Sequence, residues 1–281
     1  MTALALGLIA ALCWGFHDIC VRYLSQKTPL MAALLVVLVF GLIFHLGAMG
    51  VTGGFITIKG PAVAYAAGAG VCFLVASLGL YHAFQRGPVR LVAPIIGGYP
   101  VLSVGWATLQ GTPISIPQIL AVLAIVLGVG IVASLADTSD DDIPPIGRTI
   151  FFSVVSAIGF AGTFALGQHA AELSHDMPAT LITRLVTTGL LIALMIINGW
   201  SFRVGLAALP ILALMGIADG IALMSVLKAG SMANPEYAAV ASSMFGLLTI
   251  VLARIFLSER MTGVQWIGCA IAFGGIGFLA L

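Results

Sequence analysis

The sequence predicts an all-α integral membrane protein, with ten transmembrane helices built as two inverted five-helix repeats. Three observations carry this. The 281 residues are 61% hydrophobic and 7% charged, with a mean hydropathy of +1.18, whereas a water-soluble domain needs about a quarter of its residues charged. The apolar residues fall into long runs separated by Gly, Pro and charge clusters; at ~28 residues per crossing with its loop, the length has room for about ten crossings of a ~30 Å hydrocarbon layer. The sequence also matches itself at a displacement of 147 residues. The runs are rich in Leu, Val, Ile and Ala on every face, unlike the alternating ten-residue strands of an outer-membrane barrel.

The crossings are placed at 3 to 24, 30 to 51, 61 to 85, 89 to 109 and 115 to 136 in the first half, and at 149 to 172, 177 to 199, 204 to 229, 235 to 257 and 261 to 281 in the second. The first has no basic leader, and Trp14, His17, Asp18 and Arg22 interrupt it, so it reads as a structural helix rather than a cleavable signal. Pro61, Pro88, Pro117, Pro178 and Pro235 stand near the starts of later crossings, where the missing N–H costs nothing. Between the fifth and sixth crossings lies the acidic, Pro-containing stretch Asp137 to Gly147. The expected organisation is therefore a first repeat over 1–136, a linker over 137–147 and a second repeat over 148–281.

At the 147-residue displacement Gly15 falls on Gly162, Pro88 on Pro235, Gln118 on Gln265, Gly128 on Gly275 and Gly130 on Gly277. Matches at three different crossings of each half, all at one displacement, favour a duplication. Five crossings per half is an odd number, so the second half enters the membrane from the opposite side, an arrangement that recurs in secondary transporters. With the side of the termini named X and the other Y, the Y loops carry Arg22, Lys27, Arg86, Arg90, Arg148, Arg203 and Arg260, against Lys59 and Lys228 on X. The positive-inside rule then makes Y cytoplasmic.

Several function classes are excluded. A net charge of +1 with no long basic run argues against nucleic acid as a partner. There is no phosphate-binding Gly-x-x-x-x-Gly-Lys-Ser/Thr loop, no paired-His or paired-Cys metal spacing and no Ser/His/Asp arrangement, so no cofactor, metal or catalysis is expected. Cys13, Cys20, Cys72 and Cys269 lie within apolar runs and read as small hydrophobes.

Polar groups inside hydrocarbon are costly and mark sites or buried pairs. Trp14, His17 and Asp18 share one face of the first helix, with Arg22 one turn on. Asp18 and Arg22 could neutralise each other near the Y surface with Trp14 as an interface anchor; otherwise His17 and Asp18 face a wet cavity and hold an ammonium group or a proton. Ser77, Tyr81 and His82 suit a cavity mouth or interfacial anchoring, and Tyr99, Ser103 and Trp106 form an aromatic stripe on the fourth helix above Pro94 and Pro100. Arg184 and Asp219, at similar depths from X, read as an ion pair or as groups freed during transport. Ser242, in the small-residue run of the ninth helix, suits packing or a hydroxyl contact to substrate. Gly128, Gly130, Gly274, Gly275 and Gly277 make a small-residue face suited to helix association, including that of two copies in a homodimer.

The stretches AALCWG at 10 to 15, YHAFQRGPVRLVAPIIGGYPV at 81 to 101 and LSERMTGVQWIGCAIAFGGIGF at 257 to 278 resemble the ten-helix branch of the drug/metabolite transporter superfamily, with paired EamA-type domains. The resemblance covers nearly the whole chain. It implies export or exchange of small metabolites through a central cavity, and is nearest to bacterial amino-acid exporters of the inner membrane, including those for aromatic amino acids. Gly-Thr-Pro at 111 to 113 departs from the Gly-Glu-Arg turn often found there, and the termini lack the basic residues common in relatives. The expected function is alternating access, with a cavity lined by helices one, three, four, six, eight and nine; the rival is a broad exporter of cationic compounds coupled to protons.

Overall fold

The computed structural model describes residues 2–52, 60–109, 115–135, 145–232, 236–259 and 261–279, of which Thr52, Ser103, Val104, Trp106, Ala107, Leu109, Ala133, Glu236, Tyr237, Ala239 and Val240 are described in backbone only. Among the described residues the secondary structure is entirely helical. The helices are α1 (Ala3–Leu24), α2 (Leu30–Thr52), α3 (Gly60–Arg86), α4 (Val89–Gly97), α5 (Tyr99–Leu109), α6 (Ile116–Ser134), α7 (Ile146–Leu173), α8 (Asp176–Ile197), α9 (Leu209–Lys228), α10 (Glu236–Ser243), α11 (Phe245–Phe256) and α12 (Gly263–Phe278). Six helices are long and apolar enough to cross a membrane, and four shorter apolar helical segments, Val89–Leu102, Ile116–Val132, Ala241–Phe256 and Gly263–Phe278, complete the ten.

Two crossings expected to be continuous are each broken into two helices. The fourth breaks at Gly98, whose N–H bonds back to the carbonyls of Pro94 and Ile95. Pro94 and Pro100 lack donors, so the i to i−4 ladder cannot run unbroken through this stretch. The ninth breaks at Met244, between α10 and α11. The breaks are 146 residues apart (244 − 98), one residue from the sequence displacement.

Most packing joins one half of the chain to the other. α1 lies on α9, α10 and α11, and α2 on α9; in the mirrored set α7 lies on α3, α4 and α5, and α8 on α3. We call these the α1 group (α1, α2, α9, α10, α11) and the α7 group (α7, α8, α3, α4, α5). They meet along a central seam where α2 touches α8 and α4 touches α11, and the pair α6–α12 stands outside both. Small residues allow the approaches: a Cβ on Gly159 of α7 would stand 2.5 Å from the Ala76 nitrogen of α3, and one on Gly216 of α9 would stand 2.5 Å from the Val37 carbonyl of α2. Without a hydrophobic force between helices in lipid, close van der Waals packing of this kind is what holds them.

The proposed association face is divided. Gly128 and Gly275 are used within the chain, at the α6–α12 contact where added Cβ atoms would meet the Gly268 and Ala121 carbonyls, whereas Gly130, Gly274 and Gly277 have nothing within 4 Å.

Gly159→Ala is expected to lower the unfolding temperature of the detergent-purified protein. Gly189→Ala in α8, where nothing lies within 4 Å, should raise it, corresponding to about 0.5–1 kcal/mol from helix propensity. The same shift for both would contradict the α3–α7 contact.

Candidate functional site

The seam between the two groups holds a buried polar cluster. From α1 come Trp14, His17 and Asp18, three and four residues apart and so on one face. Gly15, on another face, admits Leu248 of α11, which a Cβ would meet at 2.6 Å. From α9 comes Asp219, from α3 Phe73, Ser77, Leu80 and Tyr81, from the start of α5 Tyr99, from α7 Phe160 and Phe164, and from α11 Phe245. Leu34, Val37 and Leu38 of α2 complete the wall. The space between them is about 20 Å³, room for a single water. Trp14, His17, Asp18, Tyr81, Tyr99 and Asp219 are all buried. The cavity is thus lined by buried side chains and is almost filled by them.

Two hydrogen-bonded chains cross this cavity. In the first, the Trp14 indole N–H donates to Asp219 Oδ1 at 3.0 Å and Arg184 Nη1 donates to Oδ2 at 2.6 Å. Arg184 is fully buried and lies behind Asp219, with its guanidinium carbon 4.9 Å from the centre of the Phe73 ring. The guanidinium fits there because position 41 of α2 is glycine: a Cβ on Gly41 would stand 3.1 Å from the guanidinium carbon. Arg184 Nε and Nη2 have no hydrogen-bond partner.

In the second chain His17 Nδ1 is 2.9 Å from Asp18 Oδ1, and the Tyr81 hydroxyl is 3.4 Å from His17 Nε2. When the Asp18 carboxylate is ionised it can only accept, so that Nδ1–H donates and Nε2 accepts from Tyr81. Asp18 is fully buried, and its Oδ2 has no hydrogen-bond partner. The cluster thus brings together two carboxyl groups, Asp18 and Asp219, and one guanidinium, that of Arg184.

The remaining wall is aromatic. Trp14 packs against Phe164, Phe160 and Phe245 with ring centroids 5.5, 6.0 and 6.2 Å apart, and Tyr99 meets Phe164 edge-on at 5.1 Å. The Tyr99 hydroxyl is 2.7 Å from Ser242 Oγ of α10.

Of the residues singled out from the sequence, Trp14, His17, Asp18, Ser77, Tyr81, Tyr99 and Asp219 line the cavity. Arg184 and Ser242 stand one bond behind it. The Ser77 hydroxyl donates to its own helix at the Phe73 carbonyl, 2.8 Å away. His82 lies elsewhere: its ring stacks on Phe152 at 5.0 Å and borders a separate cleft with Gln85, Trp200 and Ser201. The side chains of Ser103 and Trp106 lie outside the described residues.

Two expectations are corrected. Arg22 does not neutralise Asp18; its Nη1 donates to the Phe84 and Gln85 carbonyls at the end of α3, and its Nε is 3.7 Å from Glu259. Nor does Trp14 anchor an interface, being 4% exposed and bonded to Asp219. Sequence reasoning missed the whole α2 wall and Phe73, Phe160, Phe164 and Phe245. Apolar residues of a membrane helix carry no mark of which face meets a cavity. A signal did exist for Phe164, which stands 147 residues after His17 and one turn after Phe160.

Breaking a buried ion pair from one side leaves a charge uncompensated, at a cost of about 3–5 kcal/mol, while replacing both partners by apolar residues is often neutral. Arg184→Ala is therefore expected to lower the unfolding temperature sharply, and the double variant Arg184→Met/Asp219→Leu to recover most of the loss, measured by thermal denaturation in detergent. A double variant as unstable as the single one would contradict a direct pair.

The profile of the EamA-like transporter family matches residues 1–134 and again residues 147–281. An uncharacterised protein of Methanocaldococcus jannaschii is 26% identical over 129 residues, which is 46% of this chain and 93% of that one, so the relative has about the length of one half of the chain described here. A solved crystal structure 17% identical in sequence superposes with a TM-score of 0.72 over 98% of this chain and 95% of its own, a likeness of fold. With nearly the whole sequence matched in two successive blocks, the chain belongs to the EamA-like transporter family of the drug/metabolite transporter superfamily, and is a multi-pass membrane protein that transports small molecules.

Proposed function

We propose that the chain is a secondary transporter of a bacterial inner membrane that exports small amphipathic metabolites carrying an ammonium group, amino acids and aromatic ones among them, by alternating access. The observation that supports this most is the unpartnered Oδ2 of Asp18 on the wall of a largely aromatic and aliphatic cavity. A buried carboxylate oxygen without a donor is costly, and a substrate ammonium arriving there would supply one. Trp14, Tyr99, Phe160, Phe164 and Phe245 offer ring faces and edges to an apolar or aromatic side chain. Their rings attract the cation as well.

The closed cavity is too small for any amino acid, so substrate enters only when the seam opens at one end. The α1 group and the α7 group are the two bodies that rock, and inverted repeats make the X-open and Y-open forms near mirror images. Arg184–Asp219, Tyr99–Ser242 and His17–Tyr81 all cross the seam. They are the contacts that a bound substrate exchanges for its own.

One observation favours a second reading, export of cationic compounds coupled to protons. The charged groups on the cavity wall are acidic, and the one buried guanidinium is sealed behind Asp219. A substrate carboxylate would need Asp219 to release Arg184, whereas an amine without a carboxylate would need only Asp18.

The test is uptake of labelled phenylalanine and labelled phenethylamine into proteoliposomes containing only this protein, with and without a pH gradient, beside Asp18→Asn, Tyr99→Ala and protein-free vesicles. Saturable phenylalanine flux that falls tenfold or more in both variants is expected. Flux of phenethylamine alone, driven by the pH gradient, would replace the amino-acid reading by the cationic one, and flux of neither in folded protein would overturn both.

A further inference from the structure

We propose that Arg22 and Glu259 form an ionic latch which closes the Y end of the seam, an end at which the two groups are joined by an ion pair that has no equivalent at the X end among the described residues. The inference rests on the alternating-access reading above, and extends it from the cavity to its two ends.

The latch joins four elements. Arg22, at the last turn of α1, gives its Nη1 to the Phe84 and Gln85 carbonyls of α3, at 2.9 and 3.2 Å. These lie in the last turn of that helix, at the negative end of its dipole. Both carboxylate oxygens of Glu259 accept from the Val89 N–H, at 3.1 and 3.2 Å. Val89 is the first residue of α4, where the dipole is positive and the N–H has no partner within its own helix. Arg22 Nε and Glu259 Oε1 then stand 3.7 Å apart. Each charge is thus matched by a helix end and by the other. Gln26 adds a neutral bond to the Gln85 carbonyl at 2.9 Å. Every one of these bonds to α3 or α4 runs from the α1 group or the turn after α11 to the α7 group, across the seam.

The turn that carries Glu259 is shaped for this. Ser258 has φ 55°, the left-handed conformation that ends a helix, and the Glu259 N–H returns to the Ala253 carbonyl at 3.3 Å. The side chain is thereby sent back over the start of α4. This gives the Ser-Glu-Arg-x-Thr stretch two tasks, since Thr262 caps α12 through a reciprocal bond with Gln265.

The 147-residue displacement gives the sequence equivalents of the pair, of which position 112 lies outside the described residues. Arg22 corresponds to His169 and Glu259 to Thr112. His169 pairs within its own helix with Glu172, at 3.2 Å, and both are exposed. Where α7 meets α9 at the X end the closure is neutral: Gln168 donates to the Val226 carbonyl at 3.1 Å, Gly230 lies against the Gln168 backbone, and Gly167 lies against Leu227. Among the described residues, the ion pairs that join the two groups or their flanking turns are Arg184–Asp219 at the centre and Arg22–Glu259 at the Y end.

The latch makes the Y gate sensitive to removal of charge and to ionic strength. Arg22 and Glu259 are 24% and 14% exposed, so salt reaches them. In a background with the four native cysteines replaced, single cysteines are placed at Ser77, on the Y half of the cavity, and at Phe164, on its X half. Their reaction rates with a water-soluble maleimide are measured in detergent, where both ends meet water. Glu259→Gln and Arg22→Gln are each expected to raise the rate at Ser77→Cys at least fivefold and leave that at Phe164→Cys within twofold. With Arg22 and Glu259 untouched, raising potassium chloride should also speed Ser77→Cys selectively, a readout that needs no latch variant to fold. Equal acceleration at both probes, or none at Ser77→Cys in high salt, would overturn the latch. Labelling reads the gate whatever the cargo, so a failed flux assay and a failed latch are told apart.

Discussion

The ion pair between Arg184 and Asp219 is the contact on which the rest of the centre depends. An isolated charge in a low-dielectric interior is expensive, and a pair is tolerable only with close geometry and further hydrogen bonds. Here Asp219 takes the guanidinium on one oxygen and the Trp14 indole on the other. This fixes α8, α9 and α1 at one depth. It sets the Trp14 ring among Phe160, Phe164 and Phe245, and it puts Phe73 beneath the guanidinium. Gly41 and Gly216 follow from the same requirement, because larger residues would push α2 away from the buried guanidinium and from α9.

With Asp219 satisfied in this way, Asp18 becomes the carboxylate that remains to be matched. His17 occupies one of its oxygens and Tyr81 steadies His17 from α3. The other oxygen is open. An asymmetric site therefore sits inside a nearly symmetric scaffold: at the 147-residue displacement Asp18 becomes Ala165 and His17 becomes Phe164, so the polar pair of α1 has an apolar equivalent on α7. The ends differ in the same manner, ionic at Y and neutral where α7 meets α9 at X.

Much of the architecture was legible because hydropathy and periodicity are properties of single segments. The first crossing, read as 3 to 24, is α1 at Ala3–Leu24, and the face of Trp14, His17 and Asp18 meets the cavity. The breaks in the fourth and ninth crossings were harder to see. Pro94 and Pro100 announced the first, but nothing local to Met244 marks the second, and it emerges from the structure near the position equivalent to Gly98. Partners across the bundle were the least legible. Arg22 and Asp18 are one turn apart, which made a pair between them the natural reading, yet Arg22 finds the helix ends of α3 and α4 through residues more than sixty positions away. Leu34, Val37 and Leu38 gave no signal, since an aliphatic side chain looks the same against lipid and against a cavity. His82 shows the converse: a polar residue beside Tyr81 that points to a different cleft.

In the proposed alternating access the α1 and α7 groups move as opposed bodies about the seam. Pulsed electron spin resonance on two doubly labelled forms tests it most directly. One pair is placed at Tyr23 of α1 and Trp200 after α8 at the Y end, the other at Lys228 of α9 and Leu173 of α7 at the X end, each pair spanning the two groups. A transported substrate is expected to shift the two distance distributions in opposite directions, one shortening as the other lengthens. Distances that stay fixed under saturating transported substrate, or that lengthen together, would contradict it.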